Sequence, residues 1–262
     1  MLRELLLQVV KIKREMAIYL SNSSHLKKIN KINFQRLYFG TEFCEIAYPN
    51  VQELKKALVF THKNNIDFTL VLPWQTEFFR LNDYLTQLPK KTEVVINDWG
   101  QLFTTIEYGL TPILGRLLVK SKNEPRTIPE NLEYIKTNSM LNHDSFKKFI
   151  SMNNINRVEI DNIPLSFSPG ELKSSLYFPY INISISRKCL TAFQDKNPIK
   201  NDYKCNLECK NNKGMNAKIK NYEKTIIYKG NGIFYMNKDK PQEEYLIKKN
   251  VDRFVFMPEI PY

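Results

Sequence analysis

The feature that most constrains the fold of this 262-residue chain is a rhythm: short runs of β-branched, aromatic and aliphatic residues recur along it, separated by polar stretches with helical spacing. Eight runs stand out: Met16 to Leu20, Arg36 to Gly40, Asp67 to Pro73, Glu93 to Asn97, Pro112 to Leu117, Arg157 to Asp161, Tyr180 to Ser186 and Arg253 to Met257. Helices fit between several of them. Val51 to Asn64 carries Leu54, Ala57, Leu58 and Phe60 at mixed 3.6-type spacing, Trp74 to Leu88 is similar, and Asp144 to Met152 is a third, with Asn142 or Asp144 as its cap. Alternating strands and helices build parallel sheets, because a parallel neighbour is reached only through a crossover. Eight such units in roughly 250 residues match a (β/α)8 barrel, so the expected fold is α/β and TIM-barrel-like, one domain spanning 1–262. A doubly wound sheet is the alternative. No G-x-G-x-x-G or G-x-x-x-x-G-K motif opens a helix, so the usual nucleotide fingerprints are absent.

One stretch breaks the rhythm. Leu190 to Lys224 is dense in Lys and Asn and poor in large apolar residues, so something other than a hydrophobic core must organise it. After it, Thr225 to Met236 contains Lys229-Gly230-Asn231-Gly232, a turn signal that predicts a β-hairpin. The 190–236 region thus reads as a loop and hairpin added to the barrel. Hydrophobic residues make up 42% of the chain, enough for a full core, and no run of 18 apolar residues predicts a membrane span. Arg3 and Glu4 interrupt the apolar start and no small-residue cleavage site follows, so the expected location is cytoplasmic. The formal net charge of +12 suits RNA, an anionic substrate or an acidic partner, or simply a solvated basic surface.

Four cysteines carry the clearest chemical signal. Cys189, Cys205 and Cys209 are close in sequence and Cys44 lies far upstream, with Cys44 and Cys189 each just past a β-like run. Strand ends on one face of a barrel would bring these together. Four thiolates suit a soft metal, and the Cys205-x3-Cys209 pair lets two sulfurs converge from one turn, so an iron-sulfur cluster or a structural zinc is expected there. Disulfides fit poorly with a chain lacking a signal peptide, and isolated buried thiols fit poorly with the polar Lys204, Asn206, Glu208 and Lys210 around the pair. The long, unequal spacing differs from the paired knuckles of a zinc ribbon.

Certain segments resemble a known family. Tyr38-Phe39-Gly40-Thr41-Glu42-Phe43-Cys44 resembles a "Y-L-G-x-x-x-C" strand end, and Ser186-Arg187-Lys188-Cys189-Leu190-Thr191-Ala192 resembles an "S-x-R-C-F-T-A" segment, of the collagenase-like peptidase family U-32. The Cys205-x3-Cys209 pair also has a counterpart there, after a somewhat shorter spacer. Val95 to Gly100, Leu114 to Leu118 and Pro125-Arg126 look like patterns of other members. The resemblance implies a [4Fe-4S] cluster on Cys44, Cys189, Cys205 and Cys209, with zinc as the alternative. It further implies a role in oxygen-independent hydroxylation of a small, quinone-precursor-like molecule, with a paralogous subunit as partner or as a homo-oligomer. RNA modification, or a non-enzymatic accessory role, is the alternative it leaves. Peptidase activity is poorly supported: no G-x-S-x-G and no Cys/His arrangement accompanies the family's name.

In a barrel, residues at strand C-terminal ends face the site. Those are Cys44, Pro73, Trp74, Asn97, Asp98, Arg116, Glu159, Asp161 and Arg187. Glu159 and Asp161 alternate on one strand and point the same way, with Arg116 as the natural partner of such carboxylates. These three are the candidates for proton transfer and anion binding, with Asn97 and Asp98 as further substrate contacts. Two structural readings compete: an ion-pair network that closes the barrel, and an Asx-type turn at Asn97-Asp98-Trp99-Gly100. The three histidines, His25, His62 and His143, are isolated and form no metal motif.

Overall fold

The computed structural model of the chain describes residues 14–29, 33–74, 80–119, 140–163, 169–186, 189–191, 205–218 and 224–262. Eight parallel strands close into a barrel: β1 (Glu15–Leu20), β2 (Arg36–Gly40), β3 (Asp67–Val71), β4 (Glu93–Ile96), β5 (Thr111–Leu114), β6 (Arg157–Asp161), β7 (Lys173–Phe178) and, paired to both β7 and β1, β12 (Val251–Phe256). Helices α1 (Val51–Asn64), α2 (Leu81–Leu85), α3 (Gly100–Glu107), α4 (Asp144–Met152) and α6 (Glu243–Lys248) ring it, each preceding a strand. This is a (β/α)8, TIM-barrel-like fold.

Strand pleating makes two cores from one set of residues, because alternate side chains point to opposite faces. Ala17, Tyr19, Tyr38, Val71, Val95, Ile113, Tyr177, Val255 and Met257 form the cluster that fills the lumen. Their neighbours in sequence, among them Ile18, Leu37, Leu70, Val94, Leu114, Ile160 and Phe254, face outward and pack beneath the helices. The longest helix, α1, opens with a capping box: the Asn50 side chain accepts from the Glu53 amide at 3.0 Å, and the Glu53 carboxylate accepts from the Asn50 amide at 3.1 Å. It ends at Asn65 in the left-handed conformation.

Three sequence expectations need correction. The run Tyr180 to Ser186 is a strand, β8 (Tyr180–Ile185), but it leaves the barrel; the seventh barrel strand is instead β7, whose Ser174 and Ser175 hide the apolar pattern. The helix expected over Trp74 to Leu88 is confined, among the described residues, to Leu81–Leu85. The cap position of α4 is His143, with no side-chain hydrogen bond, rather than Asn142 or Asp144.

A second, four-stranded antiparallel sheet holds β8, β9 (Met215–Ala217), β10 (Ile226–Lys229) and β11 (Gly232–Met236), with β10 and β11 joined by a tight turn at Gly230-Asn231. The short helix α5 (Glu208–Asn211) leads into β9. Beyond β12 the chain runs across the ends of β1 and β2: Ser21 Oγ donates to the Tyr262 carbonyl at 2.9 Å and Thr41 Oγ1 to the Pro261 carbonyl at 2.7 Å. Among the described residues no helix is long and apolar enough to cross a membrane.

Candidate functional site

Strand β6 presents Arg157, Glu159 and Asp161 to the lumen as alternate residues, and each meets different company. At the N-terminal end, Arg157 grips Asp252 with two bonds of 2.6 and 3.0 Å and donates to Ser175 Oγ at 3.1 Å. Arg253 beside it donates to Glu15 at 2.5 Å, to Glu93 at 2.7 and 3.1 Å, and to Tyr38 Oη at 2.7 Å. Burial works against the Glu93 carboxylate, but Arg253, Arg36 and Arg157 outweigh it and hold its pKa below the usual range.

Glu159 sits one layer further in, fully buried. Its Oε1 accepts from Tyr38 Oη at 3.1 Å, while Oε2 has no hydrogen-bond partner. Burial pushes its pKa up to about 8, against the pull of Arg253 and Arg157. Glu159 is therefore held protonated at neutral pH.

Arg116, in the turn after β5, belongs to the opposite end of the lumen. Its Nε and Nη2 form a bidentate pair with Glu42 at 2.9 and 2.6 Å; Nη1 donates to Asp161 at 2.5 Å and to the Tyr180 carbonyl at 3.3 Å; Nη2 also meets Met257 Sδ at 3.6 Å. The guanidinium lies 4.5 Å from the Tyr177 ring centroid and 5.4 Å from that of Phe43. Burial alone would lower its pKa, but Glu42 and Asp161 raise it well above the arginine value. Arg116, Glu42 and Asp161 are 4%, 1% and 6% exposed, and every N–H direction of the guanidinium meets an acceptor within the protein. This is the geometry of an ion-pair network that closes a barrel. Glu159 is not part of it.

Asn97 and Asp98 finish β4. Asn97 Nδ2 donates to the Leu72 carbonyl at 2.9 Å, Gln101 Oε1 accepts from the Asn97 amide at 2.9 Å, and Gln101 Nε2 reaches the Pro73 carbonyl at 2.7 Å, so the ends of β3 and β4 are laced together. Asp98 Oδ1 accepts from the Gly100 amide at 2.8 Å, an Asx turn that starts α3. Gly115 must be glycine here: a Cβ would stand 2.2 Å from Asn97 Oδ1 and 2.5 Å from the Ile96 carbonyl. Trp74 donates its amide to the Glu42 carbonyl at 2.8 Å, and Arg187 lies outside the described residues.

The cysteines gather beside this end of the barrel, where the second sheet and the segment after β12 meet. Asn231 is the joint. Its Nδ2 donates to the Phe43 carbonyl at 2.8 Å and to the Ser186 carbonyl at 3.0 Å, and its Oδ1 accepts from Tyr262 Oη at 2.8 Å. One side chain thereby fixes the segments leading to Cys44 and to Cys189. Thr191 then exchanges bonds with Gly230, 2.6 Å to Oγ1 and 3.1 Å from its amide, which pins the chain just beyond Cys189. Gly230 adopts φ +57, and a Cβ there would fall 2.1 Å from the Tyr262 ring.

Cys209, on α5, is buried with Phe43, Ala47, Phe234, Ile260 and Tyr262, and Cys44 packs against the same cluster. Burial pushes the Cys209 thiol up to about 12, and the nearby thiols of Cys189, Cys44 and Cys205 add to the rise while Lys229 opposes it. Burial also raises the Cys44 thiol, with the amides of Ala47 and Ile46 hydrogen-bonding its sulfur in opposition and Cys205 adding to the rise. All four sulfurs share one neighbourhood, and none is in a disulfide. Among the described residues no group of three or more His, Cys, Asp or Glu side chains is arranged to hold a metal ion as it stands. The donor set does fit a thiolate-ligated cluster: four soft sulfurs, an apolar wall of Phe43, Phe234 and Ile260, amides directed at one sulfur, and a buried cation close by.

The cation is Lys229. It is 5% exposed, its Nζ donates to the Ile260 carbonyl at 2.9 Å, and it stands 5.9 Å from the Tyr262 ring centroid. Lys229, Asn231, Tyr262 and Glu42 are site residues that sequence reasoning passed over. The turn signal at Lys229-Gly230-Asn231-Gly232 marked two of them, and Glu42 stands two residues before Cys44. Compared with known protein families, characterised proteins and solved structures, the chain shows no significant match.

Proposed function

We propose that this protein is a cytoplasmic iron-sulfur protein of the family U-32 type, with a [4Fe-4S] cluster held by Cys44, Cys189, Cys205 and Cys209. The observation that carries the reading is the convergence of four thiols from distant parts of the chain on one apolar corner beside the barrel's C-terminal end. A cluster bound there would supply one-electron transfer; with water as the oxygen source, replacing C–H by C–OH releases two protons and two electrons, and a one-electron carrier would take the electrons singly and pass each to an external acceptor. The chain's own residues hold the sulfurs: Asn231 and Thr191 fix the approaches to Cys44 and Cys189, and the Ala47 and Ile46 amides favour the thiolate of Cys44. The resemblance of the cysteine segments supports oxygen-independent hydroxylation of a small, quinone-precursor-like molecule, carried out with a paralogous subunit.

Arg116, Asp161 and Glu42 set the boundary between this corner and the lumen. Their mutual saturation supports a positioning role, so substrate is to be sought over the cysteine corner rather than inside the barrel.

Anaerobic reconstitution with iron and sulfide tests the reading. The expected result is about four irons and four sulfides per chain with a broad visible absorption, lost in Cys44→Ser and in Cys209→Ser. Uptake of a single zinc in place of iron and sulfide, or iron retention in both variants, would overturn it.

A further inference from the structure

The four-cysteine site carries an electrostatic requirement that bears on the proposed cluster. A [4Fe-4S] core of charge 2+ with four thiolates has a net charge of −2, and one further electron makes it −3. Such an anion would rest against Phe43, Phe234, Ile260 and Tyr262, with Cys209 buried and Cys44, Cys189 and Cys205 half-buried, so water reaches it on one side only and a fixed counter-charge on the walled side stabilises it. Arg116 lies near, 5.4 Å from the Phe43 ring, but its charge is already matched by Glu42 and Asp161.

Lys229 differs. It is buried, its Nζ meets a neutral carbonyl, that of Ile260, at 2.9 Å, and it forms no salt bridge among the described residues. Its one acidic neighbour of note, Glu259, is bonded to His25 at 2.8 Å. Ile260 and Tyr262, which the Lys229 ammonium meets, are wall residues of the cysteine corner and pack with Cys209. A buried ammonium without an anion is costly on its own, and an anionic group beside it removes the cost. The backbone holds it in place: Lys229 ends β10 at the turn whose Gly230 carries Thr191, two residues beyond Cys189.

We propose that Lys229 is the built-in counter-charge of the four-cysteine site, a positioning residue that raises the reduction potential of the cluster by stabilising its more negative state. This rests on the iron-sulfur reading above. It places the site's electrostatic control in the hairpin rather than in the barrel, and makes a reducible carrier out of a group that four thiolates alone would hold at lower potential.

The test is an anaerobic dye-linked titration of the reconstituted full chain, in which one electron passes from the reduced dye to the oxidised cluster, followed by absorption and accompanied by iron and sulfide counts. Lys229→Met keeps the length and apolar stem and removes the charge; Lys229→Arg keeps the charge. The expected result is full iron content with the reduction equilibrium of Lys229→Met at least tenfold less favourable, about 59 mV more negative for one electron, and most of that shift restored in Lys229→Arg. Loss of the cluster in Lys229→Met with retention in Lys229→Arg supports the same role. An unchanged midpoint in a fully loaded Lys229→Met overturns the inference and leaves the cluster reading standing, and equal cluster loss in both variants overturns it by showing a demand for shape. Absence of iron and sulfide uptake by the unaltered chain overturns both.

Discussion

The barrel lumen and the cysteine corner adjoin, yet they handle charge in opposite ways. Inside the lumen every arginine is matched: Arg253 by Glu15 and Glu93, Arg157 by Asp252, Arg116 by Glu42 and Asp161. At the corner, Cys209 and the thiols near it adjoin a lysine that forms no salt bridge among the described residues. A network that satisfies itself needs no ligand, and one that does not is a place where a ligand completes the structure. The difference separates groups that hold this molecule together from groups that remain available for chemistry.

The strongest way to break that comparison is Arg116→Met. Removing the guanidinium strands Glu42 and Asp161 at a buried site, and the expected loss is about 3–5 kcal/mol in urea unfolding. A loss below 1 kcal/mol would show the lumen network to be dispensable, and the contrast with the corner would fail.

Next comes Glu159, faced by Tyr38, Arg253, Arg157 and Glu93. Its folded pKa is raised to about 8 from the ordinary 4.5, so the folded state holds its proton more tightly. The stability it contributes is therefore complete below pH 4.5 and lost as pH rises through about 8. Between pH 5 and 9 the unaltered protein should lose on the order of 4 kcal/mol from this group, and Glu159→Gln should flatten that part of the profile. Parallel profiles for the two proteins would show that Glu159 is already ionised in the fold.

At the corner, Tyr262→Phe deletes the hydroxyl that donates to Asn231 Oδ1 at 2.8 Å and leaves that buried oxygen unpaired. The expected cost is about 1–2 kcal/mol, accompanied by faster alkylation of Cys44 and Cys189, because Asn231 anchors the chain before these two cysteines. Unchanged thiol reactivity would remove Asn231 as the joint of the site. The smallest effect sets the scale for the others: Asn50→Ala breaks the capping box of α1, away from both regions, and should cost about 1 kcal/mol or less without altering thiol reactivity.

Much of the barrel was legible because its signal is local. The β-branched runs of β1 to β6 and the spacing of α1 announce themselves within ten or fifteen residues. β7 was not, since Ser174 and Ser175 interrupt its apolar pattern; the structure shows Ser175 Oγ taking a bond from Arg157 and lying 3.4 Å from Tyr38 Oη, a polar role set by residues far away in sequence. Arg116 and Asp161 could be paired in advance by the rule that buried carboxylates seek arginine, whereas the bidentate partner Glu42 lies 74 positions from Arg116 and carries no local mark. Lys229, Asn231 and Tyr262 were illegible for the same reason: a turn signal describes the backbone, and says nothing of what the turn's side chains will meet after the chain has closed.

That closure is a condition for the site to exist at all. Cys205 and Cys209 are neighbours in sequence, whereas Cys44 follows β2 and the wall of Ile260 and Tyr262 follows β12, the strand that joins β7 to β1, so the thiols and their wall are all together only in a closed barrel. Long-range closure of this kind is slow compared with local helix formation. A tightly held cofactor at the corner would therefore act as a proofreader of folding, rewarding only chains that have finished, and its retention would report on the integrity of the seam that closes the barrel.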